Sequence, residues 1–381
     1  MKPSLLGLTK EELISQLTEH GHPAYRADQI LDWLWKKRPA SLEAMSNLPK
    51  SLRVFLEESF SLYPLTPARE LGSTDTTRKM LYKLHDGRYI ESVLIPANPA
   101  LYGGRADRLT LCVSSQVGCA YGCKFCASGL AGFTRNLTAA EIAAQVLQTE
   151  MLAGDRIDNL VFMGMGEPLA NLKNLLHAIE LITSPWGMNL GARHLTISTS
   201  GLVPQIRELA RHPRQIRLAI SLHGATDAVR DQIMPVNKKY PTEMLFDALQ
   251  DWNANKKQHL TLEYILIQGV NDDLEQAHIL AKHARSFQAK VNLIPYNTVE
   301  GLPWKRPEIS HCQAFRNVLA KDGVTATLRL EKGHDIEAAC GQLRLVQETE
   351  EGILEKNGNA ATREKQVGST DDSSLLESGH E

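Results

Sequence analysis

Apolar positions recur every three or four residues through KEELISQL, RADQILDWLWKK and SLRVFLEESF, so residues 4 to 60 read as amphipathic helices. Thr9 followed by Glu12 has the spacing of a capping box at the start of the first helix. The period changes near Thr77, where KMLYKL and YIESVLIP flank the turn HDGR. An Asp-Gly turn between two such runs predicts a β-hairpin, and its second strand carries Glu91. From about residue 108 to 332 short apolar runs alternate with longer helical stretches: RLTLCVSS, NLVFMGMG, HLTISTSG, IRLAISLHG, TLEYILIQG and VNLIPYN. Strands separated by helices pair in parallel through right-handed crossovers, and six of them predict an α/β fold built as a partial TIM-like (β/α)6 barrel. Chemistry in such barrels gathers at the carboxyl ends of the strands, so GMGEP, STSG, SLHG and PYN are expected at one mouth.

The same pattern divides the chain into a helical accessory domain over 1–70, a β-hairpin and linker over 71–107, and a barrel core over 108–345. The tail over 346–381 is polar, acidic and aperiodic, and is expected to be disordered. A hydrophobic content of 43% is enough for a sizeable core. No run approaches the roughly 20 apolar residues of a membrane-spanning helix, and the start lacks the layout of a secretory signal, which points to a cytoplasmic protein with no membrane partner. The net charge of -2 hides an asymmetry, because the segment from Val346 onward contributes -6 and leaves +4 on the rest. A polyanionic partner is therefore permitted, not demanded.

Six cysteines are too few for a disulfide framework, and three of them crowd into Cys119-Ala-Tyr-Gly-Cys123-Lys-Phe-Cys126. That clustering favours a metal or redox site in a reducing compartment. Thiolates are soft ligands suited to zinc or to an iron-sulfur cube. A zinc site asks for a fourth closing ligand, and no second cysteine pair or His-x3-His stands nearby. Three ligands on a 4Fe-4S cluster leave one iron open, and S-adenosylmethionine can bind there through its amino and carboxylate groups.

The CxxxCxxC spacing is the signature of the radical S-adenosylmethionine superfamily. CVSSQVGCAYGCKFC, GMGEPLANL, STSGLVP, AISLHG, NKKYP, LIPYN and DIEAACGQL, in that order, resemble the RlmN/Cfr family of RNA adenine methyltransferases across residues 5 to 345. Taken alone, GEP is an ordinary turn with proline at a helix start, and Cys112 and Cys340 are two buried thiols. The resemblance implies more. Gly166 and Glu167 would meet the amino group of the cofactor, and Ser198, Ser221, Leu222, His223 and Asn297 its ribose, carboxylate and adenine. Two molecules of S-adenosylmethionine are implied per turnover. One methylates Cys340, and the other is cleaved to a radical that activates the S-methyl group for addition to carbon 2 of adenine. Cys112 would then resolve the protein-RNA bridge by forming a disulfide with Cys340, and Glu91 would accept the ring proton.

The resemblance further implies 23S ribosomal RNA and tRNA as substrates and an electron donor such as flavodoxin. Tyr25, Arg26, Trp33, Trp35, Lys36, Lys37 and Arg38 are candidates for holding RNA, although WLWKK also reads as a buried tryptophan face with a solvated lysine edge. Methylation at carbon 8 of adenine, as in the antibiotic-resistance branch of the family, is the alternative reaction. A radical enzyme activating another protein and a non-catalytic iron-sulfur RNA-binding module are more distant readings. The insertion NPALYGGRAD between Glu91 and Cys112 departs from the family pattern and is expected to be a surface loop.

Overall fold

The computed structural model describes residues 2–74, 76–97, 108–130, 132–256, 260–299, 302–329 and 342–352. Helices α1 (Lys10–Glu19), α2 (Arg26–Asp32) and α3 (Lys50–Ser59) form the amino-terminal module. The Thr9 hydroxyl accepts from the Glu12 N–H at 3.2 Å, and the Glu12 carboxylate accepts from the Thr9 N–H at 2.8 Å. This reciprocal cap satisfies two otherwise orphaned donors and is worth about 1 kcal/mol. Helix α2 runs into a π-helical turn, Trp33–Lys37, which stops at Arg38 in the left-handed region with φ 54. Leu13, Leu17, Ile30, Leu34 and Leu56 are fully buried and join one continuous core with the barrel.

Strands β1 (Thr66–Gly72), β2 (Arg78–Lys83) and β3 (Tyr89–Pro96) are antiparallel neighbours, and β3 pairs antiparallel with β4 (Leu109–Cys112). From β4 the sheet turns parallel through β7 (Asn159–Phe162), β8 (Leu195–Thr199), β9 (Arg217–Ser221), β10 (Thr261–Leu266), β11 (Lys290–Pro295) and β12 (Ala326–Leu328). Between β4 and β7 a separate antiparallel pair, β5 (Gln116–Gly118) and β6 (Phe133–Asn136), brackets the cysteine loop. The one-turn helix α4 (Ala127–Leu130) follows the last of those cysteines. The crossovers are α5 (Ala139–Ala153), α6 (Leu172–Thr183), α7 (Val203–Arg211), α8 (Asp227–Ile233), α9 (Thr242–Asn255), α10 (Leu274–Ser286) and α11 (Ile309–Lys321). Leu218, Ala219 and Ile220 are buried on both faces of β9, as a helix-covered parallel strand requires. No described helix is long and apolar enough to cross a membrane.

The six expected barrel strands are all present, and the partial TIM-like architecture holds. Four strands were not expected: the β5–β6 pair around the cysteine loop, β1 and β12. β1 lies partly inside the stretch assigned to the helical domain, and β12 adds a short seventh parallel strand. The expected disordered tail from residue 346 also needs correction, because helix α12 (Gln342–Glu350) runs into it. Arg344 and Glu348 of α12 are 1% and 0% exposed and stand 3.0 Å apart, so charged residues are buried as a pair here rather than solvated. The insertion and the residues beyond 352 lie outside the described residues.

Candidate active site

The cysteine loop leaves β5 and is closed at its far side by the Cys119 N–H donating to the Gly132 carbonyl at 3.0 Å. Inside it the Cys126 N–H donates to the Cys123 carbonyl at 3.1 Å, closing a tight turn between the last two cysteines. The loop is tied to the barrel by Lys124, whose N–H donates to the Ile233 carbonyl of α8 at 2.9 Å and whose carbonyl accepts from Trp304 at 3.2 Å. Burial pushes the Cys119 thiol up to about 12, and charge on Cys126 adds to the rise. Cys123 is pushed up as well, by burial first and then by Cys126 and Cys119. Three soft thiols that repel one another as thiolates need a positive partner between them, and iron supplies it. Among the described residues no three of His, Cys, Asp and Glu converge on a single ion position. A cube asks for a different arrangement, one sulfur to each of three irons. The donor set fits a 4Fe-4S cluster.

Beside this loop the GMGEP turn is held by the Ser115 and Gln116 N–H groups, which donate to the Met165 carbonyl at 2.9 and 3.1 Å. Gly166 has φ +101, and a Cβ there would stand 2.5 Å from the Gln116 Cβ, so only glycine fits. Glu167 is buried, and its carboxylate accepts from the Ser200 N–H at 2.7 Å, the Ser200 hydroxyl at 2.8 Å and the Leu169 N–H at 3.0 Å. Burial pushes its carboxyl up while those bonds pull it down. The Thr199 hydroxyl is a further hydrogen-bond donor to this carboxyl and pulls it the same way.

The other strand ends face the same loop. The Ser198 and Ser221 hydroxyls are 3.3 Å apart, across β8 and β9. His223 stacks edge-on against Phe125 of the cysteine loop, with ring centroids 4.8 Å apart. Its Nδ1 accepts from the Ile265 N–H at 3.0 Å, which leaves the proton on Nε2. Burial, then the charge of Arg230, lowers the His223 pKa to about 3, so the ring is neutral. Leu222 is fully buried, and the Asn297 side-chain Oδ1 accepts from Arg306 at 2.5 Å.

On the sheet extension Val93 is opposite Cys112, and Glu91 is opposite Leu81. Side chains two residues apart share a face, so Glu91 and Cys112 are diagonal neighbours on one face, roughly 7 Å apart by strand geometry. Both are buried. The Glu91 carboxylate accepts from the Arg344 N–H of α12 at 2.6 Å, which docks the first turn of that helix over the same face. Cys112 is in no disulfide. Cys340 lies outside the described residues.

Comparison with known proteins agrees with this geometry. The Radical SAM superfamily profile matches residues 113–280, and the profile of the ribosomal RNA large subunit methyltransferase N-terminal domain matches residues 4–62. A probable dual-specificity RNA methyltransferase RlmN from Akkermansia muciniphila is 57% identical over 91% of this chain and 97% of its own. The chain belongs to the RlmN family. A second member, from Thermotoga maritima, is 43% identical over 90% of this chain and 97% of its own. The crystal structure of a radical SAM methyltransferase from Sphaerobacter thermophilus superimposes with a TM-score of 0.84 at 43% identity, covering 89% of this chain and 98% of that one.

For a member of the RlmN family, the residue that sequence reasoning missed is Arg230. Its guanidinium is fully buried and donates to the Asn237 side chain at 3.0 Å, to the Leu222 carbonyl at 3.2 Å and to the Ser200 carbonyl. It thus fastens the ends of β8 and β9 to α8, the helix that anchors the cysteine loop. A Cβ on Gly224 would stand 2.8 Å from the Arg230 nitrogen, which explains the glycine of SLHG. Burial lowers the Arg230 pKa to about 10, and Cys123 is the first of the charges that oppose the shift.

Proposed function

We propose that the chain is a radical S-adenosylmethionine RNA methyltransferase of dual specificity, acting on carbon 2 of adenine in 23S ribosomal RNA and in tRNA. The observation that carries this reading is the placement of Glu91 and Cys112 on one buried sheet face under the first turn of α12, in a member of the RlmN family. When bound, a 4Fe-4S cluster and two molecules of S-adenosylmethionine per turnover supply one methyl group and one carbon radical.

The chain's own residues divide the remaining work. Cys119, Cys123 and Cys126 hold the cluster. Glu167 takes an ammonium proton of the cofactor beside the close backbone of Gly166. Ser198, Ser221, Leu222, His223 and Asn297 line the strand ends that receive its ribose, carboxylate and adenine, with His223 offering a neutral Nε2–H. Cys340 carries the methyl group to the base, and Glu91 accepts the proton lost from carbon 2. The Cys112 thiolate attacks the Cys340 sulfur, the bond from that sulfur to the base-bound methylene breaks with its electron pair going to the base, the methylene takes a proton to become the methyl group, and a Cys112–Cys340 disulfide remains. That disulfide must be reduced by thiol exchange before the next turnover, which suits a reducing cytoplasm, and an electron donor of the flavodoxin kind would serve the cluster.

Adenine edges are hidden in double-helical RNA, so the base must be a loop base or be extruded into the site. The amino-terminal module offers groups that stack bases and hold phosphates. The Lys37 ammonium lies 4.4 Å from the centre of the Trp33 ring, Arg26 lies 4.8 Å from that of Tyr25, and Tyr25 is 58% exposed. Trp35, by contrast, is 2% exposed and belongs to the core.

The test is an anaerobic assay with reconstituted protein, S-adenosylmethionine, a strong reductant and defined ribosomal RNA and tRNA, read by mass spectrometry of nucleosides. 2-Methyladenosine is expected from both RNAs. 8-Methyladenosine would transfer the chain to the other reaction of the family, and cofactor cleavage without any methylated base would overturn the proposal.

A further inference from the structure

Lys79 is 0% exposed, and its ammonium stands 3.0 Å from the Glu91 carboxylate, which is 1% exposed. Lysine is among the residues least often fully buried. Taking an ammonium and a carboxylate out of water costs several kcal/mol each, and only close, well-directed pairing offsets this. The pairing follows from the register. Lys79 is opposite Val93 on β3, and Val93 is opposite Cys112 on β4, so Lys79, Glu91 and Cys112 share one face across three adjacent strands. The two carboxylate oxygens are held from different elements, Oε2 by Lys79 of β2 and Oε1 by the Arg344 N–H of α12. Glu348 of α12 is held in turn by the Tyr89 N–H at 3.1 Å and by Arg344.

We infer that Lys79 is a positioning residue for proton removal: it holds the Glu91 carboxylate fixed in direction beside Cys112. The inference rests on the reading of Glu91 as acceptor of the ring proton. A proton arriving from carbon 2 forms an O–H bond on Glu91 and leaves Lys79 as a buried cation beside a neutral acid. The proton then passes on to solvent and the pair re-forms. Without Lys79 the carboxylate loses an opposite charge 3.0 Å away and the bond that fixes its Oε2.

The experiment compares Lys79→Met, Lys79→Arg and Glu91→Gln in the reconstituted enzyme, on RNA whose target adenine carries hydrogen or deuterium at carbon 2. For Lys79→Met, turnover is expected to fall roughly 10- to 100-fold, the range of a misplaced general base. The isotope effect should rise above the wild type's, and a covalent protein-RNA adduct should accumulate on denaturing gels. Lys79→Arg keeps the charge at a different reach and should lie between the two, with a raised isotope effect. Wild-type rate and isotope effect in Lys79→Met overturn the inference, and so does a slower Lys79→Met with an unchanged isotope effect and no adduct. If Lys79→Met does not fold, Lys79→Arg decides by the same two readings. Full activity of Glu91→Gln would instead remove the acceptor reading itself, whatever the lysine variants do.

Discussion

The Ser114 hydroxyl donates to the Glu91 carbonyl oxygen at 2.7 Å and accepts from the Met165 N–H at 3.0 Å, so one buried side chain ties β3 to the GMGEP turn. Gln145 of α5 fixes Ser114 in turn, accepting from its N–H at 2.8 Å and donating to its carbonyl at 2.9 Å. Ser114→Ala deprives a buried donor and a buried acceptor of this partner. Each such loss costs about 1–3 kcal/mol. Denaturant unfolding should show a loss of about 2 kcal/mol, and equilibrium dialysis should show weaker binding of S-adenosylmethionine as the GMGEP turn loosens. Unchanged affinity together with the lost stability would separate Ser114 from the cofactor site.

Glu263 supplies a pH-dependent test. Its Oε1 accepts from Asn292 at 2.9 Å, while its Oε2 is buried with no hydrogen-bond partner among the described residues. Burial pushes the carboxyl above its usual value, and Arg329 and Asn292 pull it the other way. The folded protein therefore holds this proton to higher pH than the unfolded chain does. The stabilisation is complete below the unfolded value and is lost as pH rises through the folded one. Glu263→Gln keeps the acceptor for Asn292 and removes the charge. Its stability relative to wild type should grow as pH rises above the ordinary carboxylate range in denaturant titrations. A flat difference would mean that Glu263 ionises in the fold without penalty.

The barrel was legible because each parallel strand is a short apolar run ending in glycine, serine or asparagine, and burial on both faces leaves that mark. The Thr9 and Glu12 cap was legible because its chemistry is local. β1 was not, since TPARELG is mostly exposed and pairs only with β2, leaving no apolar alternation to read. Arg230, Lys79 and the Arg344–Glu348 pair escaped for one common reason. A charged residue reads as surface until the fold supplies its partner, and these partners are 7, 12 and 4 residues away. The diagonal placement of Glu91 and Cys112 depends on the register of two strands separated by the insertion, which no local pattern encodes. Motif resemblance named these two residues; the pairing of β3 with β4 puts them on one face.

Arg230→Met should separate support of the cysteine loop from the fold at large. The substitution leaves the Ser200 and Leu222 carbonyls and the Asn237 side chain without a shared donor, a loss of about 3 kcal/mol. Because Lys124 is bound to the same helix, iron incorporated during anaerobic reconstitution should fall at a temperature where the variant is still folded by circular dichroism. Arg230→Lys keeps a cation but loses the planar fork, and should recover only part of the iron. Full iron content in Arg230→Met would mean that the loop is set by its own turns alone.

The cysteines outside the loop give the sharpest contrast. Cys112 is 6% exposed on the face it shares with Glu91, whereas Cys312 is 0% exposed in α11, where its thiol lies 3.9 Å from the Pro307 carbonyl. If Cys112 resolves the protein-RNA bridge, Cys112→Ala should still load a methyl group on Cys340 and join the base, then stop. A protein band shifted by covalently attached RNA on a denaturing gel, with little free methylated nucleoside, is the expected result. Cys340→Ala should give neither band nor product, because the carrier sulfur is gone. Cys312→Ala removes a buried thiol of the same chemistry from a site with no such neighbour, so its turnover should match wild type after a stability cost of about 1 kcal/mol. Product released by Cys112→Ala at the wild-type rate would show that another nucleophile opens the bridge, and the shared face of Glu91 and Cys112 would then serve packing alone.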